Sequence, residues 1–519
     1  MKTLITLILL FSATRAFSET ISVYHTSDVH GWYMSKPAKW DRENSTRSIG
    51  GFAAFSNLLK IEGNPYILLD SGDMFQGTPE GNFTKGMASV EYMNKLGYSA
   101  ATVGNHDYDY GEENLKALIA AAKFPLLGAN VYYKKDKEDA KTVEYLKPYI
   151  VIEKAGKKIA VLGIAGRHTA TSTLPANVKH LYFRDEAKET AKYMEEINSL
   201  KPDAVIVMAH IGISGKIATG KMDISTYTLS DAEVRNGTVE VARYAKTAAL
   251  VFGGHNHAGL IKGWKDPVTG TMICESYWGL TDITKADLEF DDETGKLKSV
   301  SCSLVPLWTD VTGEDGEILA ITEKISAEVN KEMDKLLGTS KDDIGLSKNG
   351  LDSPIGNWMT DVMRLSTKSD LAFQNSAGIR NVINKGEIKI RDIFQVMPFE
   401  NTLVTVTMTG KQVEKLIRDN FRGVRTAMQV SGLTVKYEMN GDRLGELILE
   451  KNGKKIAPAD KFRVVTNNYL TTGGSGGKAF TEGEGMTDTM IPVRDALLDW
   501  VKRNGEISAP ATGRFVKLN

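Results

Sequence analysis

The amino-acid sequence predicts an α/β protein with two main domains joined by a helix. Its 519 residues allow two or three domains with large cores. Short apolar runs rich in β-branched residues alternate with stretches of helical periodicity, a pattern typical of sheets covered by helices. Five of these runs end in residues that can bind metal ions, so several strands are expected to end at one site.

The chain begins with a stretch that is typical of a signal peptide. Residues 1–18 carry Lys2, an apolar run over 4–11 and the ending Ala16-Phe17-Ser18, which suits cleavage before Glu19. The run is too short to span a bilayer, no later segment reaches ~18 apolar residues, and no cysteine lies at the cleavage point to take a lipid. We therefore expect a periplasmic or secreted protein without a stable membrane anchor.

Residues 19–310 are predicted to form the first domain. Its helices are indicated by apolar residues at helical spacing over 89–96, 112–122, 185–200 and 238–245. Strands dominate from residue 273 to about residue 306, which is expected when a second, partly antiparallel sheet closes the domain.

A linker helix and a second α/β domain follow. Apolar residues spaced by three and four predict an amphipathic helix over 318–337, ended by Gly338, within a linker of residues 311–340. Residues 341–519 then form the second domain. Its helices are expected near 355–365 and 410–420, and its strands near 403–408, 432–437 and 462–466.

The composition excludes several classes of protein. With 42% hydrophobic and 25% charged residues the chain is ordinarily globular, and a net charge of -1 provides no surface for a nucleic acid polymer. Cys274 and Cys302 are too few for a disulfide scaffold; export permits them to pair, but two buried thiols are the simpler expectation. The sequence does not predict the oligomeric state.

The residues after five apolar runs suggest a metal site. They are Asp28 and His30; Asp70-Ser71-Gly72-Asp73; Gly104-Asn105-His106-Asp107; His210; and Gly254-His255-Asn256-His257. Carboxylate, imidazole and carboxamide ligands suit Mn, Zn, Fe or Co better than Ca or Mg. Two such ions ~3.5–4 Å apart can share a carboxylate and hold a phosphoryl group during in-line attack. We expect Asp73 to be the shared carboxylate. The alternative is that five unrelated strand ends carry these residues by chance.

In this order the motifs resemble the five signature blocks of calcineurin-like metallophosphoesterases. The opening His-Thr-Ser-Asp-Val-His-Gly, the second domain and the Pro398-Phe399 turn are similar to bacterial 5′-nucleotidases and periplasmic UDP-sugar hydrolase. The resemblance implies a four-layer, two-sheet catalytic domain joined by a linker helix to an α/β nucleotidase-type C-terminal domain. It also implies two divalent ions held by two ligand sets that share one carboxylate: Asp28, His30, Asp73 and His257; and Asp73, Asn105, His210 and His255. Some relatives have Gln or Asn where His257 stands.

One further histidine is expected to act on the substrate. His106 follows the ligand Asn105 and can stabilise negative charge that grows on the phosphoryl group. The resemblance implies that Asp109, three residues on, orients it, whereas Asp107 is expected to be an ordinary loop residue. His25 is expected to be structural, and His168 and His180 lack ligand-like neighbours in the sequence.

The second domain is expected to bind a nucleoside. Phe399 and Tyr469 end polar turns, and two aromatic faces suit a purine or pyrimidine base. The resemblance implies that Asn375, Gly378 and Arg380 line the nucleoside and phosphate pocket. Two departures leave ribose recognition open, since Ser376-Ala377 replaces a glycine pair and Ser475 stands where relatives carry an aspartate.

The sequence therefore predicts an exported two-metal phosphohydrolase that converts nucleotide phosphate esters, or other small phosphate esters, to an alcohol or nucleoside and phosphate. The same metals would also serve a 2′,3′-cyclic nucleotide phosphodiesterase with 3′-nucleotidase activity, or a nucleotide-sugar hydrolase. A protein of a different class, a nucleotide-binding surface protein with a vestigial metal site, is the non-enzyme alternative.

Overall fold

The computed structural model describes residues 19–518, apart from 39–40, 42, 135–140, 174, 214–219, 231–233, 236, 348–349, 400, 423–424, 442 and 472. The predicted signal peptide, residues 1–18, lies outside the described residues. The chain divides into two compact units, one ending at Ile325 and one beginning at Ser326, and the division falls inside the helix Gly316–Met333. The domain boundaries drawn from the sequence remain a prediction.

Two six-stranded sheets form the first unit. In spatial order the first sheet consists of Leu297–Pro306, Asp282–Phe290, Glu19–Thr26, Tyr66–Asp70, Ala100–Thr102 and Leu126–Leu127. The second consists of Trp264–Lys265, Met272–Glu275, Leu250–Gly253, Ala204–Ala209, Lys157–Ile164 and Tyr149–Lys154. Short two-stranded pairs add Lys36–Pro37 with Ser48–Ile49, Val131–Tyr133 with Leu181–Phe183, and Gly220–Met222 with Ala258–Leu260.

The unit is a stack of four layers. Apolar residues of both sheets, such as Val23, Leu69, Ile206 and Phe252, form a buried core between them. Separate cores lie under the helices on the two outer faces. The helices are Phe52–Lys60, Pro79–Phe83, Met87–Leu96, Glu112–Ala121, Thr169–Ser172, Pro175–Val178, Glu186–Ser199, Thr238–Ala245, Thr309–Thr312 and Gly316–Met333, with a 3-10 turn at His106–Tyr108. The predicted two-sheet α/β architecture is confirmed.

Three expectations from the sequence need correction. The hairpin Asp282–Phe290/Leu297–Pro306 does not belong to the second sheet, because it pairs antiparallel with Glu19–Thr26 and completes the first. The helix predicted over 318–337 ends at Met333, and Leu336–Ser340 is a strand that pairs with Gly386–Lys389. Cys274 and Cys302 form a disulfide rather than two thiols, since neighbouring strands of the two sheets bring them together across the core.

The second unit contains three larger sheets. The main sheet runs Met428–Ser431, Leu371–Asn375, Lys461–Asn467, Thr402–Thr409 and Glu484–Pro492. The others are Gly386–Lys389, Leu336–Ser340 and Glu506–Ile507; and Lys454–Lys455, Arg443–Lys451, Thr434–Asn440 and Phe515–Lys517; a small pair joins Phe421–Arg422 and Arg425–Thr426. Helices are Pro354–Ser366, Ile390–Val396, Gly410–Asn420, Asn468–Thr471 and Val493–Asn504, with 3-10 turns at Ser376–Gly378 and Gly474–Glu482.

Strand direction determines where polar side chains collect. In the first sheet Glu19–Thr26, Tyr66–Asp70 and Ala100–Thr102 are parallel neighbours, and in the second Ala204–Ala209 and Leu250–Gly253 are parallel neighbours. The carboxyl ends of parallel neighbours lie at the same edge of a sheet, so the loops that follow them are brought together. In the described part of the chain, no helix combines the length and the apolar character needed to cross a membrane.

Candidate functional site

All seven predicted metal ligands lie in loops at the carboxyl ends of these five strands. Most are buried, and the two on the loop after Leu250–Gly253 are partly exposed. In chain order they are Asp28, His30, Asp73, Asn105, His210, His255 and His257. The structure therefore brings together residues that lie up to 229 positions apart in the sequence.

The first predicted ligand set converges on one point. Single ligand atoms of Asp28, His30 and His257 all lie within 4.8 Å of one another. The Nε2 atoms of His30 and His257 are 3.0 Å apart, and they lie 3.9 and 3.7 Å from Oδ1 of Asp28. Oδ2 of Asp73 is 3.9 Å from Nε2 of His30.

The second predicted set meets the first through Asp73. Oδ2 of Asp73 lies 3.2 Å from Nε2 of His210, and Asp28, Asp73 and His210 also offer ligand atoms within 4.8 Å of one another. Oδ1 of Asn105 lies 3.2 Å from Nε2 of His210 and 2.9 Å from Nδ1 of His255. The carboxylate predicted to be shared thus stands between the two sets.

The backbone of these loops is unusual. Asp28, His30, Asp73, His255 and His257 have φ angles of +53°, +51°, +58°, +72° and +58°. Such angles are uncommon for residues other than glycine, and strain of this kind, which costs roughly 1–3 kcal/mol a residue, collects at functional sites. Here it turns five ligand side chains toward one centre.

Glycines allow the loops to approach closely. A Cβ atom on Gly104 would lie 2.2 Å from Oδ1 of Asp73, and one on Gly254 would lie 2.2 Å from Oγ of Ser27. Any side chain at position 104 would therefore displace the carboxylate of Asp73.

Burial and charge prepare the side chains for cations. Burial lowers the pKa of His30 and His257 to about 4 and that of His255 to about 2, so their imidazoles are neutral at pH 7 and keep a lone pair for a metal. Burial also lowers the pKa of His210, but the Asp73 carboxylate outweighs it and raises that pKa to about 9. Two buried carboxylates thus draw positive charge into the centre, and this set of oxygen and nitrogen donors fits divalent ions.

Backbone carbonyls fix two of the imidazoles. Nδ1 of His30 donates to the carbonyl of Gln76 at 2.6 Å, and Nδ1 of His210 donates to the carbonyl of Ser71 at 2.6 Å. With the proton on Nδ1, Nε2 is left as the ligand atom, which is the orienting arrangement that metal-binding histidines use.

His106 lies beside the cluster without facing it as a ligand. Its backbone N–H donates to Oδ1 of Asp73 at 2.8 Å, while its Nδ1 lies 2.7 Å from Oδ2 of Asp109. The other Asp109 oxygen accepts from Oγ1 of Thr173 at 2.6 Å. Burial lowers the pKa of His106, but the Asp109 and Asp73 carboxylates raise it to about 10. This places a positive, partly exposed imidazole at the rim.

Asp107 has a different place. It is fully buried, and its carboxylate accepts from the backbone N–H groups of Asp73, Met74 and Gly104 at 3.0, 3.0 and 2.8 Å. These three bonds hold the loop that carries the shared carboxylate against the loop of Gly104. Asp107, in the 3-10 turn His106–Tyr108, therefore fixes the backbone of these loops and does not contact His106 in place of Asp109.

Three histidines remain outside the ligand sets. His25 is buried, with Nε2 2.7 Å from Oγ of Ser71 and its ring stacked on Phe252 at 4.1 Å, and His180 pairs with Glu112 at the surface. His168 has no ligand-like neighbours in the sequence, but the fold brings it beside two predicted ligands, His210 and His255. Its ring stacks on His255 with centroids 3.5 Å apart. The fold causes this, since His168 follows Lys157–Ile164, a strand parallel to Ala204–Ala209.

In the second unit, the predicted nucleoside-binding residues lie at one edge of the main sheet. Asn375 ends a strand that runs parallel to Lys461–Asn467, and Tyr469 follows that second strand. Phe399 precedes Thr402–Thr409, whose first residues pair with the end of Lys461–Asn467.

Side-chain amides tie these turns together. Nδ2 of Asn467 donates to Oδ1 of Asn375 at 3.1 Å, and Nδ2 of Asn401 donates to Oδ1 of Asn468 at 2.8 Å. The second bond joins the turn of Phe399 to the turn of Tyr469.

The aromatic rings themselves are partly open to solvent. Phe399 is 37% exposed and Tyr469 is 47% exposed. The guanidinium of Arg380 lies 5.2 Å from the centroid of the Phe399 ring. Gly378 has no room for a side chain, because a Cβ atom there would lie 2.6 Å from Nε2 of Gln374. The side chain of Ser475, one of the two departures noted from the sequence, lies outside the described part of the structure.

Comparisons with known proteins identify both halves of the chain. Residues 21–259 match the family model of calcineurin-like phosphoesterases, and residues 336–482 match that of the 5′-nucleotidase C-terminal domain. The chain therefore combines a calcineurin-like phosphoesterase domain with a 5′-nucleotidase C-terminal domain. Protein UshA of Escherichia coli (strain K12) is 27% identical over 94% of this chain and 92% of its own.

Two further members of the family mark the extent of the similarity. The trifunctional nucleotide phosphoesterase protein YfkN of Bacillus subtilis (strain 168) is 27% identical over 96% of this chain, but the chain spans only 35% of its length. The 5′-nucleotidase precursor of Thermus thermophilus shares the fold with a TM-score of 0.63 and 22% identity, covering 96% of this chain and 99% of that one.

Sequence reasoning missed two aromatic residues at the cluster. His168 stacks on His255, and Trp278 stacks on His257 with centroids 5.4 Å apart and planes inclined by 20°. Both residues follow apolar runs that become strands of the second sheet, Lys157–Ile164 and Met272–Glu275, and these are parallel to strands that carry ligands. The rule that revealed five strand ends could also have revealed His168, a histidine that follows an apolar run, but not Trp278, whose side chain is not a metal-ligand type.

Proposed function

We propose that the protein hydrolyses the phosphate ester of nucleotides to nucleoside and phosphate, using two divalent ions of Mn, Zn, Fe or Co. The observation that carries this proposal is the convergence of seven side chains with oxygen or nitrogen donor atoms, Asp73 among them, with His106 and Asp109 paired at their rim. Family membership supports it, since both family models match and the relative YfkN is a nucleotide phosphoesterase. One ion would be held by each of the two ligand sets given above.

The bound ions would supply Lewis-acid activation of water and of the phosphoryl oxygens. The remaining work falls to side chains of this chain. Nδ1–H of His106 donates to Asp109, which leaves Nε2–H to donate to a phosphoryl oxygen as charge builds on it. Thr173 holds the second oxygen of Asp109, so the carboxylate cannot rotate away from the imidazole.

The second unit would provide specificity for the nucleoside. The half-exposed faces of Phe399 and Tyr469 suit stacking on a base, and hydrogen bonds between their turns hold the two segments together. Asn375, Gly378 and Arg380 would line the same pocket. With residues 1–18 as a signal peptide, the enzyme would act on nucleotides in the periplasm or outside the cell.

One assay distinguishes this proposal from its alternatives. The purified protein with Mn²⁺ is tested against AMP, UMP, 2′,3′-cyclic AMP, UDP-glucose and an aryl phosphate. We expect the highest kcat/KM for the 5′-monophosphates, and we expect the Asp73→Ala protein, prepared in parallel, to hydrolyse none of them. Preference for the cyclic ester or the nucleotide sugar would replace the proposed substrate, and inactivity with bound metal against every ester would indicate a nucleotide-binding protein.

A further inference from the structure

The four ligand imidazoles are oriented in two different ways. His30 and His210 donate from Nδ1 to backbone carbonyls, so the main chain sets the direction of each ring. His255 and His257 lie on one loop after Leu250–Gly253, and each ring instead lies against another aromatic ring. The partners are His168 and Trp278.

Hydrogen bonds within the described residues do not orient this second pair from outside the cluster. Nδ1 of His255 lies 2.9 Å from Oδ1 of Asn105, and Nε2 of His257 lies 3.0 Å from Nε2 of His30. Both partners are themselves ligands. A hydrogen bond between two ligands does not hold either ring in place, because both side chains can shift when an ion binds. Another contact must therefore set the ring planes of His255 and His257.

The segment that carries His168 contacts the site at three points. The carbonyl of Ser172 accepts from Nδ2 of Asn105 at 2.9 Å, which turns the carboxamide oxygen of Asn105 toward the cluster. Oγ1 of Thr173 donates to Asp109. The ring of His168 covers His255 with planes inclined by 25°. Residues 168–173 therefore form one support for a ligand amide, a ligand imidazole and the carboxylate beside His106.

The stacked geometry also separates His168 from the ligands. One of its nitrogens lies within 4.8 Å of nitrogens on His210 and His255, a distance that a fifth histidine ligand could also show. An imidazole lone pair lies in the plane of its ring. Two rings stacked 3.5 Å apart direct these lone pairs side by side rather than toward a common point. Stacking, not ligation, is the role this geometry allows.

Trp278 is held in turn by its own neighbours. The edge of Trp32 approaches it with centroids 6.4 Å apart, and Nζ of Lys36 lies 4.9 Å from the Trp278 ring and 3.3 Å from the Trp32 ring. The indole is thus a fixed surface against which His257 lies.

We propose that His168 and Trp278 are positioning residues that hold His255 and His257 ready for divalent ions by ring stacking. Neither touches substrate, and neither is a ligand. The inference rests on the metal centre but not on the reaction, so it is tested by metal binding without substrate. Failure of this test leaves the hydrolysis of nucleotides open, and failure of the esterase assay leaves the stacking role open.

The test compares substitutions that keep an aromatic ring with substitutions that remove it. His168→Phe and Trp278→Phe keep an aromatic ring that can stack, but this ring has no nitrogen atom. His168→Ala and Trp278→Ala remove the aromatic ring. The affinity of the metal-free proteins for Mn²⁺ and Zn²⁺ is measured by calorimetry. We expect each Ala variant to lose about 10–100-fold in affinity for one ion, the range for residues that orient ligands, and each Phe variant to stay within about threefold of the wild type.

Two controls and two contrary outcomes complete the experiment. His180→Ala changes a histidine that pairs with Glu112 away from the cluster and should leave both affinities unchanged. Thermal unfolding of the metal-free proteins shows whether each variant folds, and the Phe variants decide the question if an Ala variant does not. If His168→Phe loses as much metal affinity as a variant that lacks a predicted ligand, His168 is itself a ligand. If a folded Ala variant binds both ions with normal affinity, stacking has no role.

Discussion

The cluster of seven predicted metal ligands in the first unit and the aromatic surface formed by Phe399 and Tyr469 in the second unit differ in burial and in backbone conformation. Asp28 and His210 are completely buried, and five of the seven ligands adopt left-handed backbone angles. Phe399 and Tyr469 are 37% and 47% exposed, and neither is among the residues with positive φ. Ion coordination requires fixed atoms and strained loops, whereas stacking on a base requires only an accessible flat face.

This difference predicts how each region responds to substitution. The predicted ligands contact one another, so removing one disturbs the others. The effects of their substitution on metal binding and activity are therefore expected to be large and not additive. If Phe399 and Tyr469 stack on a base as proposed, each contacts it separately, so each is expected to contribute a small, separable part of the binding energy. Small, additive losses of activity from substitutions in the cluster would contradict this comparison. A complete loss of activity from a substitution in the aromatic surface would contradict it as well.

The largest effect is expected for Asp73→Ala. Its carboxylate lies within 3.9 Å of His30 in one set and 3.2 Å of His210 in the other, so the substitution removes a ligand from both. Losing two ions removes several kcal/mol of transition-state stabilisation, or more than about 10³-fold in rate. Elemental analysis of the dialysed protein and an esterase assay should show both losses together. A variant with two equivalents of metal and normal turnover would rule out the shared position.

The next largest effect is expected for His106→Ala. Nδ1 of His106 faces Asp109, and among the described residues His106 belongs to none of the groups that could hold a metal ion, so the variant should bind both ions normally. Removing one donor to the transition state should lower kcat by about 10²–10³-fold. Metal content and kcat are measured on the same preparation, with Asp73→Ala as the control that loses metal. Loss of metal in His106→Ala would make it part of the cluster.

A pair of neighbouring acids provides the third prediction. Asp109→Asn keeps a hydrogen-bonding group beside His106 and should lower kcat by roughly 10–100-fold with metal retained. Asp107→Asn exchanges one acceptor oxygen for an amide group that faces backbone donors of Asp73 and Gly104 or of Met74. We expect it to lower the free energy of unfolding by about 1.5–3 kcal/mol.

The two readouts separate the roles of these acids. Denaturant unfolding is compared with kcat for both proteins. If Asp107→Asn lowers kcat without changing stability, while Asp109→Asn lowers stability without changing kcat, the orienting carboxylate has been assigned to the wrong residue.

The sequence predicted a feature of the structure best where only a few residue types can serve the chemistry involved. Few side chains bind divalent ions, and strand ends rich in Asp, Asn and His are uncommon, so the sequence led to all seven residues that the structure brings together. Their roles as ligands remain predictions. The sequence also indicated the α/β layers, because apolar periodicity follows directly from which face of a strand or helix is buried.

Other features depend on contacts that no local pattern records. Cys274 and Cys302 meet only because strands of two different sheets pack face to face, and the hairpin Asp282–Phe290/Leu297–Pro306 joins the first sheet through pairing with the start of the chain. Leu336 continues the apolar spacing of a helix, but pairing with Gly386–Lys389 makes it part of a strand. The residue types of His168 and Trp278 alone do not reveal that their rings stack on His255 and His257.

The smallest effect is expected for Tyr469→Ala and Phe399→Ala, and it is the sharpest test of the comparison. Because both rings are already partly exposed, each should contribute about 1–2 kcal/mol of base stacking, or roughly 5–30-fold in kcat/KM for AMP or UMP. An aryl phosphate bears no base but reaches the same metal cluster, so its kcat/KM should change less than about twofold. The ratio between the two substrates is therefore the quantity to measure. Equal losses would mean that the aromatics stabilise the second unit, and no loss with AMP would remove the support for a nucleoside pocket.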